Sequence, residues 1–371
     1  MHKGKGRASK NVVFITAGAI IGVVSAAAVG ILFHEKNNEI RMLRGMMTVS
    51  DNEPEEDYDL TPVKVDRHYE LAGQKILLKD DVFGQIWIPV LKDVKLSSHP
   101  LDLLKEEQSR MYSYDSEGNY NAMTGIDISS HNNVTDWKAV KADGIDFVML
   151  RTGYRTYGGG ILHEDEKFKQ YYKEAKEAGL KIGAYFFSQA VNVQEAVDEA
   201  KLTAKQLKDC PLDFPIAFDW EIIFDDDDAR TNNIPVDTLT DLTLAYCQNM
   251  ESIGYQPMIY QNKRTSLLKY DLPRMQGIPF WLAEYGDGPT YIYEYDMWQY
   301  SCKGDVDGVE GKVDMNLSFL DFSKADTPKV RIPASDSTDR TDISATDSTS
   351  ETDTSDSTES TTEEAHRDAD R

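Results

Sequence analysis

Two carboxylates, Asp219 and Glu221, stand at i and i+2 where the apolar run PIAFDWE ends. Successive side chains of a strand point to opposite faces, so the two acids share one face with Cα atoms ~7 Å apart, while Trp220 points the other way. Pro215 followed by Ile216, Ala217 and Phe218 reads as a short buried strand. Two like charges at its end repel, and one is pushed towards a raised pKa. Glycosidic cleavage has that requirement, because one acid must hold its proton near neutral pH. The motif alone fits equally a strand end that simply reaches solvent, so the decision falls to the rest of the chain.

The elements that must position the pair show as alternating strand and helix patterns between Met123 and Phe322. Strand candidates are TGIDIS, IDFVMLR, KIGAYFF, FPIAFDWE, QPMIYQN, PFWLAEY, YDMWQY and KVDMNLSF; helical stretches are TDWKAVKADG, EDEKFKQYYKEAKEAG, VQEAVDEAKLTAKQLK and PVDTLTDLTLAYCQNMESIG. Gly144, Gly179 and Gly254 fall near helix ends, where glycine takes the left-handed cap cheaply. Eight strands in about 200 residues predict an α/β fold, an irregular TIM-like β/α barrel. The last three strands leave little room for helices, so helices should be missing on that side. A doubly wound sheet would need a Gly-rich phosphate loop after the first strand, where this chain has DISSHNN.

In such a barrel the chemistry sits at the C-terminal strand ends. Those ends are Asp127, Arg151, Tyr185, Asp219 with Glu221, Tyr260, Glu284 with Tyr285, Trp298 with Gln299, and Asp314 with Asn316. One acid at a strand end is unremarked in any protein. Four strands delivering acids to one rim, beside Tyr154, Tyr185, Trp281, Tyr285 and Trp298, read as a carbohydrate cleft. Sugar rings stack their C–H faces on aromatics, and their hydroxyls pair with carboxylates and amides.

GIDIS, RTGYRTYG, AYFFSQA, FPIAFDWE, PMIYQN, FWLAEY, DMWQYS and VDMNLSF occur in the order seen in family 25 glycoside hydrolases, the muramidase-type lysozymes, which residues 120–323 therefore resemble. The resemblance implies hydrolysis of the β-1,4 bond between N-acetylmuramic acid and N-acetylglucosamine. It places the catalytic acids on Asp219, Glu221, Asp127 and Asp314, while the strand-end reading supplies the expected substrate contacts Arg151, Tyr154, Tyr185, Tyr260, Trp281, Tyr285, Trp298, Gln299 and Asn316. Arg151 with Tyr154 resembles one branch of the family more than the whole. In a retaining mechanism Glu221 would donate the proton, a contribution of ~100-fold or more. The nucleophile is either the substrate's 2-acetamido oxygen, oriented by Asp219, or Asp127 itself. Asp314 would hold the sugar, tune its neighbours' pKa values, or only accept a barrel-closing hydrogen bond.

Two other function classes compete. An envelope-binding protein could keep the fold without activity, although the acid set is intact. A metal-dependent wall hydrolase would need clustered histidines, and His131 and His163 stand isolated, so no metal and no cofactor is expected. The Asp225–Asp228 run reads as a solvated loop.

The 371 residues carry a formal charge of -24, which argues against nucleic acid as a partner. Cys210, Cys247 and Cys302, the three cysteines, have neither disulfide-framework nor zinc spacing. Residues 1–36 read as a basic cytoplasmic stub (His2, Lys3, Lys5, Arg7, Lys10) and an apolar run from Asn11 to Phe33. About 22 such residues span a membrane and leave the C-terminal bulk outside. A signal peptide cleaved at Ala26–Ala28 is the alternative, with secretion as its outcome. Residues 37–64 form an acidic linker, 65–120 a small membrane-proximal segment without assigned chemistry, and 121–323 the catalytic barrel. Residues 324–371 form an acidic Ser/Thr-rich tail with a composition typical of disorder. The expected partners are peptidoglycan glycan strands and, through the N-terminal run, the membrane; the chain is expected to be a monomer.

Overall fold

A computed structural model describes residues 75–80, 84–223 and 229–324. Two hairpins come first: β1 (Lys75–Asp80) with β2 (Gly84–Pro89), then β3 (Leu104–Glu107) with β4 (Arg110–Ser113). The chain continues through β5 (Met123–Ile128), the short β6 (Asn133–Val134), α1 (Trp137–Ala142), β7 (Phe147–Arg155), β8 (Leu162–Glu164), α2 (Phe168–Glu177) and β9 (Lys181–Ser188). Next are α3 (Val193–Leu207), β10 (Ile216–Trp220), α4 (Val236–Ser252), β11 (Pro257–Asn262) and α5 (Lys263–Lys269). The last strands are β12 (Phe280–Ala283), β13 (Met297–Gly304), β14 (Val309–Glu310) and β15 (Val313–Ser318).

The barrel order is β5-β15-β13-β12-β11-β10-β9-β7, and β7 pairs back onto β5 to close it. All eight expected strands take part. Neighbours run parallel except β15, which is antiparallel to both β13 and β5. Only residues 305–312 separate β13 from β15. A parallel crossover needs a dozen or more residues, so the chain has to turn back. No α-helix follows β12 or β13, as expected, whereas α5 after β11 is a helix that the pattern does not announce.

Alternation along the strands sorts two layers. Phe147, Met149, Ala217, Met258, Trp281 and Met297 fill the barrel, while Val148, Leu150, Phe218, Ile259 and Leu282 face outwards into the larger core. A Cβ at Gly183 would collide with the Met149 sulfur, so only glycine lets that side chain fill the interior. The helices begin and end on local signals. Asn192 Oδ1 accepts from the Glu195 amide at 2.9 Å, and Glu195 Oε2 from the Val191 amide at 3.1 Å, closing the first turn of α3. The expected glycines cap α1, α2 and α4 with positive φ.

The side of the barrel without helices is covered by the segment before it. Val94 and Met111 are buried in the outer core, with Leu91, Leu96 and Leu104 packed against it. Ser97 N donates to Ile292 O at 2.8 Å, Leu91 N to the Tyr293 hydroxyl at 2.9 Å, and the His99 ring stacks on Phe319 at 4.1 Å. KILL and QIWIPVL read as strands in the sequence and form β1 and β2, whereas LDLLKEEQSR reads as a charged helix and instead forms a short 3-10 turn, β3 and the start of β4, because its residues pair across a hairpin. Starting the chain at residue 121 uncovers Tyr293, Tyr295 and Phe319. Burying an apolar side chain contributes roughly 1.5–3 kcal/mol, and each kcal/mol moves Tm by about 2–4 °C in a domain of this size. Such a fragment is therefore expected to melt about 10 °C or more below the full chain in a thermal denaturation scan.

Among the described residues no helix is long and apolar enough to cross a membrane. The Asn11–Phe33 run, the Asp225–Asp228 run and the tail beyond Lys324 lie outside the described residues.

Candidate active site

The acid pair comes from β10, whose alternation is the expected one. Phe218 and Trp220 belong to the outer core, and Trp220 Nε1 donates to Ala190 O at 2.9 Å. Asp219 faces the barrel mouth and is 6% exposed; Glu221, one residue past the strand, is half-buried. The main chain here is fixed from both sides. Gln261 Nε2 donates to Trp220 O, and Gln189 Nε2 to Glu221 O at 2.9 Å, while the Thr231 hydroxyl holds Gln189 Oε1 at 3.3 Å. Gln189 and Thr231 are fully buried positioning residues that the sequence reading does not single out.

The Asp219 and Glu221 carboxyls lie within hydrogen-bonding reach of each other. Burial pushes the Asp219 carboxyl well above its ordinary value, and the Glu221 charge adds to the shift. Burial raises Glu221 as well, countered by its hydrogen bond to Asp219. Removing both protons would bury two adjacent charges, so the arrangement favours one proton shared by the pair. Asp219 Oδ1 is buried and has no hydrogen-bond partner among the described residues. The nearby Arg151 guanidinium pulls the Asp219 value back towards normal.

Asp127 sits on β5, 8% exposed. Its Oδ2 accepts from Gln299 Nε2 at 2.9 Å and from Asn316 Nδ2 at 2.8 Å. Gln299 Oε1 in turn receives the Tyr260 hydroxyl at 2.9 Å and the Tyr285 hydroxyl at 3.0 Å, and Asn316 Oδ1 receives Trp281 Nε1 at 2.8 Å. Burial lifts Asp127 to about 6, and its two amide donors hold the rise in check. Asp314 lies directly across the ladder from Asp127. Burial, then the charges of Asp127 and Glu221, raise it to about 8.

Asp314 requires one correction of direction. It begins β15 and does not end it; because that strand is reversed, its start reaches the same rim as the other strands' C-terminal ends. Trp298 requires another. It is fully buried in the outer core, with Nε1 donating to Glu284 O at 2.7 Å, and is not part of the cleft. Trp298 and Gln299 are adjacent in one strand, so only one of them can face the barrel mouth. Glu284 is occupied elsewhere: Lys263 Nζ lies 3.1 Å away, and the Thr290 and Tyr291 amides donate to it at 2.9 and 3.0 Å.

The remaining expected residues cluster as follows. Trp281 is 1% exposed and stands edge-on to Tyr260 (4.7 Å) and Tyr185 (6.3 Å), forming the floor beneath the acids. Arg151 Nε pairs with buried Asp165 at 2.9 Å, and its guanidinium lies 4.9 Å from the Tyr154 ring centre. Tyr285, 55% exposed, offers an open ring at the rim. Tyr157, 38% exposed, is a rim residue the sequence reading leaves out. Burial and then the Glu221 charge raise its phenol, which places it at the acid pair. Its signal was available in RTYGGG, an aromatic set before a glycine run. Arg155 anchors that loop, donating to Gly160 O at 2.7 Å and to Glu195 O at 2.9 Å.

Among the described residues no group of three or more His, Cys, Asp or Glu is placed to hold a metal ion. His131 is exposed, and His163 stacks on Tyr154 at 5.0 Å. A pocket of about 450 Å³ lies at the opposite end of the strands, around Ile278, Phe280 and Tyr293, away from the acids. The acid rim thus offers a shared proton, a carboxylate held by two amides, and open aromatic rings, which is the equipment of general acid catalysis on a glycan.

Residues 126–309 match the family described as glycosyl hydrolases family 25. The chain is similar to an autolytic lysozyme of Clostridium acetobutylicum, 29% identical over 196 residues, covering 52% of this chain and 55% of that one. Lysozyme M1 of Streptomyces globisporus is 24% identical over 215 residues, covering 52% and 66%. Among solved structures, the modular autolysin LytC of Streptococcus pneumoniae, in complex with a synthetic peptidoglycan ligand, aligns with a TM-score of 0.48 at 23% identity, covering 66% of this chain and 58% of that one. The chain spans about half (55%) of the length of the clostridial relative.

Proposed function

This chain belongs, through its barrel, to glycosyl hydrolase family 25, and on that premise we propose that it is a muramidase. It cleaves the β-1,4 bond between N-acetylmuramic acid and N-acetylglucosamine of peptidoglycan. The observation that supports this reading most is the pairing of buried Asp219 with half-buried Glu221 at the barrel mouth, where burial raises both carboxyls and favours a shared proton. The named relatives are lysozymes, which agrees with it. The protein acts on the outer side of the cell membrane, either held by the Asn11–Phe33 run or released after cleavage.

In the free protein the deeper burial of Asp219 draws the shared proton towards it. An N-acetyl sugar brings an amide N–H that Asp219 Oδ1, otherwise without a partner, can accept. That bond favours ionised Asp219 and moves the proton to Glu221, so substrate binding arms the acid. Glu221 then protonates the leaving oxygen while the acetamido oxygen attacks the anomeric carbon. The bond to the leaving sugar breaks as the oxazolinium ring closes, and Asp219 balances its charge. Water, deprotonated by Glu221, reopens the ring with retained configuration. Asp127 is the alternative nucleophile, but two amides already occupy one of its oxygens. Asp314, in register with Asp127 and raised to about 8, holds its own proton at neutral pH and so keeps a further negative charge away from the acid pair.

Digesting purified peptidoglycan and identifying the new reducing end by mass spectrometry tests the assignment. Muramic acid at that end is expected; glucosamine would overturn it.

Asp314→Asn separates tuning from stability. The unfolded carboxyl ionises near 3.8 and the folded one at about 8. This group's favourable share of stability is therefore complete below the first value and lost as pH rises through the second. The variant is expected to melt with wild type at about pH 4 and several degrees higher at about pH 8. Asp314 is charged only above about 8, so the variant's pH–rate profile should follow wild type below that pH and drop earlier only on the alkaline limb.

A further inference from the structure

A pocket of about 420 Å³ adjoins the acid rim and is lined by Glu106, Ser109, Tyr285, Asp287, Ser301 and Lys303, with Met111 and Tyr300 at its base. Tyr285 belongs to both places. Its hydroxyl donates to Gln299 at 3.0 Å, and Gln299 donates to Asp127 at 2.9 Å, so the pocket begins one ring's width from the catalytic network. One wall is the β3–β4 hairpin, which precedes the stretch that matches the family, residues 126–309.

We infer that this hairpin extends the cleft with an additional saccharide-binding subsite, an inference that rests on the muramidase reading above. Three observations carry it. First, the hairpin is rigidly seated: Arg110 donates to Asp143 O at 2.6 Å and to Asp305 O at 3.0 Å and pairs with the Asp143 carboxylate, and Met111 is buried. Second, its two-residue turn holds Gln108 at φ 52° and Ser109 at φ 63°. Such turns favour Asn-Gly, and non-glycine residues there cost about 1–2 kcal/mol each; the backbone is held in this conformation with Ser109 on the pocket wall. Third, the lining suits a sugar. The open Tyr285 ring offers a stacking face, and two carboxylates with two hydroxyls offer partners for sugar hydroxyls. Stem peptides carry several carboxylates, and Glu106 and Asp287 outnumber Lys303 as charges facing them.

The test compares wild type with Glu106→Ala/Ser109→Ala on peptide-free glycan oligomers of alternating N-acetylglucosamine and N-acetylmuramic acid, four and eight sugars long. Both replaced side chains are exposed, so the fold should persist, and a thermal scan checks it. Each lost hydrogen bond is expected to cost about five-fold in kcat/KM on the octasaccharide, with less than two-fold lost on the tetrasaccharide. Glu106→Gln, which keeps a hydrogen-bonding group, should recover most of its share. An equal loss on both lengths would make the hairpin a structural prop and overturn the subsite. A loss seen only on intact peptide-bearing peptidoglycan, assayed beside the oligomers, would hand the pocket to the stem peptide and overturn it too. Failure of the unaltered chain to cleave any oligomer would remove the muramidase reading itself, and this subsite with it.

Discussion

Glu221→Gln is expected to lower kcat on peptidoglycan by ~100- to 10,000-fold, the range that a positioned proton donor contributes. The amide keeps the shape and loses the proton. Folding should survive, because burial disfavours the charge being removed. A melting temperature equal to or above wild type, measured beside reducing-end release, separates lost chemistry from lost structure. Near-normal turnover would end the assignment of Glu221 as the acid. The alkaline limb of wild-type activity should fall with the slope of one proton, because the pair ionises as a unit holding one.

How much of this was legible beforehand varies residue by residue. The four acids and all eight strands were readable because strand alternation and buried apolar runs are local signals. Orientation was harder where two attractive residues adjoin. In DMWQY either Trp298 or Gln299 could have faced the cleft, and the outer core took the tryptophan. Asp314 was found at the right rim for the wrong reason, since strand direction depends on the length of the preceding connection and not on the strand's own letters. The positioning of Glu221 by Gln189 and Thr231 depends on contacts 32 and 42 residues apart in sequence, which no local pattern carries. The packing of Val94, Leu96 and Met111 onto the barrel is equally non-local.

The second large effect distinguishes the two nucleophiles. If the acetamido oxygen attacks, Asp219→Asn should cost ~100- to 1,000-fold, the scale of a lost charge-stabilising group in a preorganised site. Asp127→Asn should cost about ten-fold or less, because an asparagine oxygen there still accepts from Gln299 and Asn316. A thiazoline mimic of the cyclised intermediate should then bind far more tightly than substrate. Reversal of the two variants' ranking, or a glycosyl adduct trapped on Asp127 and seen by mass spectrometry, would replace the acetamido route with direct attack. The muramidase assignment would stand in either case.

The reversed strand that closes the barrel also governs when the acid site is assembled. The Asn316 amide meets Asp127 across 189 residues of sequence, and Asp314 meets it across the same seam. Nearly the whole barrel must be synthesised and threaded into place before the first strand's carboxylate acquires its partners. Contacts this distant in sequence form late and slowly. A nascent or prematurely terminated chain therefore has its acids but not their setting, which forms only when the last strand is docked.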